Sequence, residues 1–148
     1  FHDVFVVLGI FSLGHGWLPF SLEIDQAFIA AILTVVGYSI NDTVIVFDRI
    51  REYMSDHRKE GMASVVNKAL NSTLTRTLNT SMTTFVVLLI IFIFGGESIR
   101  GFIFALMLGV LVGTYSSLYI ASPIVVDLTD KTGTSLEEKK EEKVVLTA

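Results

Sequence analysis

The feature that most constrains this chain is the apolar run at residues 27 to 47, which holds 21 positions and a single charged side chain, Asp42. At about 1.5 Å per residue it is long enough to cross a hydrocarbon core about 30 Å thick, where every backbone group must be satisfied within the segment itself. Helix is the conformation that does so. Three more apolar runs accompany it. Residues 4 to 20 are broken by Gly14, Gly16 and Pro19 and carry Trp17 near their end, where an interfacial anchor belongs. Residues 80 to 94 end at Gly95-Gly96, and residues 101 to 126 have no charge at all. With 51% hydrophobic and 18% charged residues and a mean hydropathy of +0.63, arranged in blocks, the expected class is an all-α membrane protein.

The expected spans cover residues 1–18, 26–48, 80–95 and 101–127. Lys and Arg orient them. None lies between the first two spans, whereas Arg49, Arg51, Arg58, Lys59, Lys68 and Arg76 lie between the second and third. By the positive-inside rule the 49–78 connection is cytoplasmic, as is the tail with Lys131, Lys139, Lys140 and Lys143, and the loops at 18–26 and 95–100 face outward. Arg100 alone opposes this count. Within the connection, Met62, Val65, Val66, Ala69, Leu70, Leu74 and Leu78 recur at spacings of three and four, predicting an amphipathic helix over 62–78 that lies on the inner leaflet and leads into the third span. Residues 129–148, with EEKKEEK, read as a disordered, solvated cytoplasmic tail.

The chain has no cysteine, which excludes disulfides, Cys-based zinc sites and Cys nucleophiles. No basic n-region and cleavage site precede the first apolar run, so no signal peptide is expected, and the chain reads as starting inside the outer half of a truncated span. Phosphate loops, metal-ligand clusters and nucleophile triads are missing, so no enzyme activity, cofactor or nucleic acid partner is expected. Three N-x-[ST] matches, at Asn41, Asn71 and Asn79, fall in a span or on the cytoplasmic side and read as chance or as helix contacts. His15 and His57 read as ordinary solvated residues.

Two polar features stand out inside the spans. Gly101, Ala105, Gly109, Gly113, Ser117 and Ala121 fall every fourth residue of the fourth span, a ridge of small side chains that lets another helix approach closely. Tyr115, Ser116 and Ser117 beside it read as interhelical hydrogen bonds. In the second span, Thr34, Tyr38, Asn41, Ile45, Asp48 and Glu52 share one stripe, flanked by Ser39, Asp42 and Thr43, and the polar side is expected to pack inward. A carboxylate in hydrocarbon costs ~2.5–3.5 kcal/mol even on insertion scales, so Asp42 must face protein or water, snorkelling toward the cytoplasm being the bland alternative. Asp3 raises the same question in the first run. Two intramembrane carboxylates with Arg76 at the mouth of a third helix are the groups a proton relay needs, their protonation set by desolvation and a nearby cation. A common interior for Asp3, Asp42 and Arg76 would separate relay from snorkelling.

GYSINDTVIVFDRIRE (residues 37–52) resembles the signature of the SecF-type protein-export membrane proteins, the smaller half of the SecD/SecF complex. HDVFVVLGIFSL resembles that family's third span, LNSTLTRTLNTSMTT the start of its fifth, FGG its outer turn, and GVLVGTYSSLYIASPIVVDL its sixth. The resemblance covers about residues 1–128 and implies a helical bundle similar to the membrane domain of the resistance-nodulation-division transporters. It further implies a subunit in the bacterial cytoplasmic (inner) membrane that uses the proton-motive force to promote protein export. Its partners would be a SecD-like half, separate or fused, the SecY/SecE/SecG channel, the translocating preprotein and the lipid bilayer. Asp3 of HDV, Asn41 and Asp42 of IND and Arg76 of LTRT match positions expected along the proton pathway. Asp48, Arg49 and Arg51 match the inner end of the fourth span, read as anchoring and local pairing. Three alternatives stay open: another transporter of the same type, a scaffold whose polar residues only fix helix register, and an intramembrane aspartyl protease. Against the last, His2 and Asn41 stand before the aspartates where Tyr-Asp and Gly-x-Gly-Asp are the usual motifs.

Overall fold

The computed structural model describes residues 1–18, 20, 22–56 and 61–129; His57, Arg58, Lys59 and the tail from residue 130 lie outside the described residues. Four helices make up the bundle. Helix α1 spans His2–Gly14, α2 Gln26–Asp56, α3 Met62–Phe94, and α4 Glu97–Ser116. Beyond Ser116, α4 widens into a π-helical turn, Ser117–Ala121, and runs on to Thr129. Helices α2, α3 and the full α4 are long and apolar enough to cross a membrane. At about 1.5 Å per residue the 31 residues of α2 and 33 of α3 exceed the ~30 Å core, so both reach beyond it.

Local chemistry sets the helix ends. Asp25 Oδ1 accepts the Phe28 N–H at 2.8 Å, capping the first turn of α2. Gly95 turns extended after α3, and a Cβ there would run onto the carbonyl of Ile91, so glycine is the residue that lets the chain leave α3 and restart at α4 two residues later. In α4 the cause is Pro123, which lacks an N–H and whose ring crowds the carbonyl four residues back. The π turn widens the helix just ahead of it, and the Ser122 hydroxyl donates to the Ser117 carbonyl at 3.3 Å.

Two apolar clusters sit at opposite ends of the bundle. One joins Val7 and Phe11 of α1, Phe28 and Ala31 of α2 and Ala105 of α4, with Phe11 and Phe28 rings 4.5 Å apart. The other joins Val46 and Ile50 of α2, Val66 and Ala69 of α3 and Leu118 of α4. The early residues of α2 lie with the early residues of α4, and the late with the late, so the two helices run side by side in the same direction. The start of α3 packs against the late residues of both, which makes α3 antiparallel to them.

Residues 62–78 differ from their expected role. They are the first half of one uninterrupted helix, and their apolar face, with Val65, Val66 and Ala69 buried, packs on α2 and on the far end of α4. Most of that face, with Leu78 left exposed, is therefore turned to protein where an inner-leaflet helix would present it to lipid.

The ridge on α4 faces α2. Ala105, Gly109, Gly113 and Ser117 are buried, and Gly101 and Ala121 half-buried at its ends. A Cβ on Gly109 would overlap the Val35 side chain, and one on Gly113 would sit 3.3 Å from Ser39 Cβ. Small residues here let α2 and α4 make the most extensive contact in the bundle.

Candidate functional site

Between the two apolar clusters lies a polar layer to which every helix contributes. Asp3 comes from α1, Ser39, Asp42 and Thr43 from α2, Thr77 and Ser81 from α3, and Thr114, Ser116 and Ser117 from α4. The close α2–α4 approach at Gly109 and Gly113 brings short hydroxyl side chains within bonding reach across the seam. Thr43 Oγ1 and Ser117 Oγ stand 2.8 Å apart, and Ser117 Oγ also points at the Ser39 carbonyl at 3.5 Å. A second set forms a chain with a defined direction: Tyr38 donates to Ser81 at 3.3 Å, Ser81 lies 2.6 Å from Thr114, and Thr114 donates to the Val110 carbonyl at 2.8 Å. Because Thr114 has committed its one proton, Ser81 is the donor between them.

The two carboxylates have opposite surroundings. Asp3 is 8% exposed, and both of its oxygens are engaged, Oδ1 with His2 Nδ1 at 3.0 Å and Oδ2 as acceptor of the Ser39 hydroxyl, with the Ser116 hydroxyl beside it. Asp42 is 3% exposed, and its Oδ2 is buried without a hydrogen-bond partner among the described residues. A buried polar atom left unpaired costs about 1–3 kcal/mol, more when charged. Asp42 Oδ2 is thus the carboxylate oxygen of the layer to which the described residues offer no donor. Asp42 follows Ser39 by three residues, so one helical turn of α2 separates it from the serine that holds Asp3.

The residues singled out in the sequence do not all converge here. Asp3 and Asp42 enter the layer, whereas Asn41 and Arg76 are exposed on the outside of the described bundle. The stripe expected to pack inward does so only in part: Tyr38 and Ile45 are half-buried toward α3, Thr34, Asn41, Asp48 and Glu52 are exposed, and the buried face of α2 is Phe28, Ala31, Val35, Asp42, Val46 and Ile50. The reason is geometric, because the glycine ridge of α4 accepts the face that carries Val35 and Ser39 and turns the neighbouring stripe out. Arg76 lines a polar cleft of about 480 Å³ between α2 and α3 with Asp48, Arg49, Glu52 and Ser72. There Arg49 pairs with Glu52 Oε2 at 2.5 Å, donates to Ser72 Oγ at 2.9 Å and lies over the Tyr53 ring, while Asp48 and Arg51 are exposed.

Sequence reasoning placed Ser39 and Tyr38 on the polar side of α2 without their partners, Asp3 and Ser81, and passed over the buried hydroxyls of α3. A signal for the last was present, since Thr73, Thr77 and Ser81 recur every fourth residue on one face of a span.

Comparison with known proteins places this geometry in context. The family described as protein export membrane protein SecD/SecF, C-terminal, matches residues 1–131. A protein translocase subunit SecF from Rhodothermus marinus is 62% identical over 128 residues, covering 86% of this chain and 42% of the relative. The corresponding subunit from Petrotoga mobilis is 49% identical over 130 residues, covering 88% and 41%. The chain thus spans about two fifths of the length of these relatives. A crystal structure of SecDF in a super-membrane-facing form superposes with a TM-score of 0.82 at 43% identity, covering 93% of this chain and 18% of that one.

Proposed function

The chain belongs to the SecD/SecF protein-export membrane protein family, and on that premise we propose that it acts within a SecF-type subunit that uses the proton-motive force to promote protein export. The observation that carries the proposal is the polar layer, in which two buried carboxylates from different helices lie between apolar clusters and differ in their hydrogen-bond partners. Asp42, with an unpartnered oxygen, is the group placed to take up and release a proton. Asp3, held by Ser39 and His2, is the fixed acceptor beside it. One proton crossing at 100 mV releases about 2.3 kcal/mol, comparable to the bonds made and broken in the layer. The residues act without a cofactor and without a covalent catalytic step.

Asn41 and Arg76, exposed on the described bundle, are assigned to the surface that meets a SecD-like half, where Arg76 supplies a cation to the pathway. The remaining partners are the SecY/SecE/SecG channel and the exported preprotein, in the bacterial cytoplasmic membrane with the 49–78 connection inside. Asp48, Arg49 and Arg51 anchor that inner end. The ridge Gly101, Ala105, Gly109, Gly113, Ser117 and Ala121 serves packing.

Neutral replacement tests the proposal. In the full-length protein, Asp42→Asn and Asp3→Asn should abolish gradient-dependent export while the complex still assembles. Export that persists in both variants would reduce the layer to a scaffold that fixes helix register.

A further inference from the structure

Ser39 is where three helices meet. From α2 its hydroxyl donates to Asp3 Oδ2 on α1, and its carbonyl faces the Ser117 hydroxyl of α4. Gly113 of α4 lies against it so closely that a Cβ there would be 3.3 Å from Ser39 Cβ. Many helical hydroxyls in the bundle turn back onto their own helix, as Thr34 does to the Ala30 carbonyl, Thr80 to Arg76, Thr84 to Thr80 and Thr114 to Val110, each four residues back, and those of Ser81 and the Thr43–Ser117 pair meet other hydroxyls across helices. Back-bonding of this kind is the ordinary choice of a serine or threonine in a membrane helix. Ser39 leaves its own helix and commits its single donor to a carboxylate on another.

Of the titratable side chains on the elements packed around Asp3, only His2 bonds to it among the described residues. Tyr38 on α2 turns to Ser81, Tyr115 on α4 turns outward to stack on Tyr119, and Asp42 lies one turn further along α2. Ser39 is then the α2 side chain that bonds to Asp3 among the described residues.

We infer that Ser39 is the positioning residue for Asp3, holding the carboxyl of α1 in the α2–α4 seam and setting its affinity for a proton by donating to its charged form. The inference rests on the proton-coupling role proposed above only for its biological use; the positioning itself is read separately. A donor to a carboxylate favours the ionised form, so its removal moves protonation to higher pH.

The test is infrared difference spectroscopy of the full-length protein in liposomes during a pH titration. The carboxylic C=O band that disappears in Asp3→Asn identifies Asp3. Ser39→Ala should move the midpoint of that band upward by about one pH unit or more, the effect of losing a hydrogen bond to a charged group. Ser39→Thr keeps the hydroxyl and should restore the wild-type midpoint, and the same Ser39→Ala shift should persist in a His2→Gln background. An unmoved midpoint in Ser39→Ala, or an equal shift in Ser39→Thr, overturns the inference. Export measured on Asp3→Asn and Asp42→Asn judges the coupling role independently, so either idea can fall while the other stands.

Discussion

Gly109→Ala tests the packing that creates the polar layer. A Cβ on Gly109 would lie 2.8 Å from Val35 Cβ and 2.7 Å from Val35 Cγ1, the first about 0.6 Å below the 3.4 Å at which ordinary contact begins. Val35 is 1% exposed and β-branched, so it has no free rotamer to adopt, and relief must come from moving α2 away from α4. Overpacking of this kind costs ~1–3 kcal/mol, and three overlapping atoms of a stiff side chain argue for the upper end. Alanine in place of glycine in a helix interior returns ~1 kcal/mol, leaving a net loss of ~2 kcal/mol. Gly37→Ala provides the baseline, since nothing lies within 4 Å of its Cβ position, and it should be neutral or stabilising by up to ~1 kcal/mol. Gly113→Ala, at 3.3 Å from Ser39 Cβ, should fall between the two. The assay is reversible unfolding in mixed micelles titrated with denaturing detergent, and the decisive comparison is the Gly109→Ala/Val35→Ala double variant. If the ridge argument holds, the second change removes the two nearest of the three overlapping atoms, Cγ2 and Cγ1, leaving only the Cβ contact, and the double variant is more stable than the sum of the two single losses predicts. Additivity within about 0.5 kcal/mol would refute it.

Three other outcomes follow from the same geometry. Asp25→Ala should cost ~1 kcal/mol in that assay, because the Phe28 N–H loses its capping acceptor, while Asp25→Asn should retain most of the stability. The 148 residues contain no cysteine, so Ser55→Cys and Ser98→Cys report orientation directly: the first should react with an impermeant maleimide only from the cytoplasmic side and the second only from the outside, and the reverse pattern would invert the topology. Asp42→Asn and Asp3→Asn should each abolish gradient-dependent export with assembly unchanged, as read by export across a range of imposed proton gradients.

Much of the architecture was legible in one dimension. Four apolar runs produced four helices, and small residues every fourth position on α4 marked the side that packs. Those properties depend on length and periodicity, which any reader of the chain can measure. The candidate site was legible only in part. Asp42 and Asp3 were singled out because a charge inside hydrocarbon is costly wherever it falls, and both are buried. Asn41 joined them through its helical stripe and Arg76 through its charge at the mouth of the third span, both supported by the family resemblance, yet both are exposed, because neither periodicity nor charge says which face meets a neighbour.

By itself, then, the sequence determined that the chain forms membrane-length helices with charged groups needing a partner, since hydrocarbon thickness and the cost of an unpaired charge are properties of the solvent. Only the tertiary structure decided which side of α2 is inside, that residues 62–94 are one continuous helix, and that Ser39 reaches Asp3 while Asp42 Oδ2 stays unpartnered among the described residues. The facing of α2 and the reach of Ser39 turn on how closely α4 approaches α2 at Gly109 and Gly113. That distance depends on atoms far apart in the chain, so no local pattern contains it.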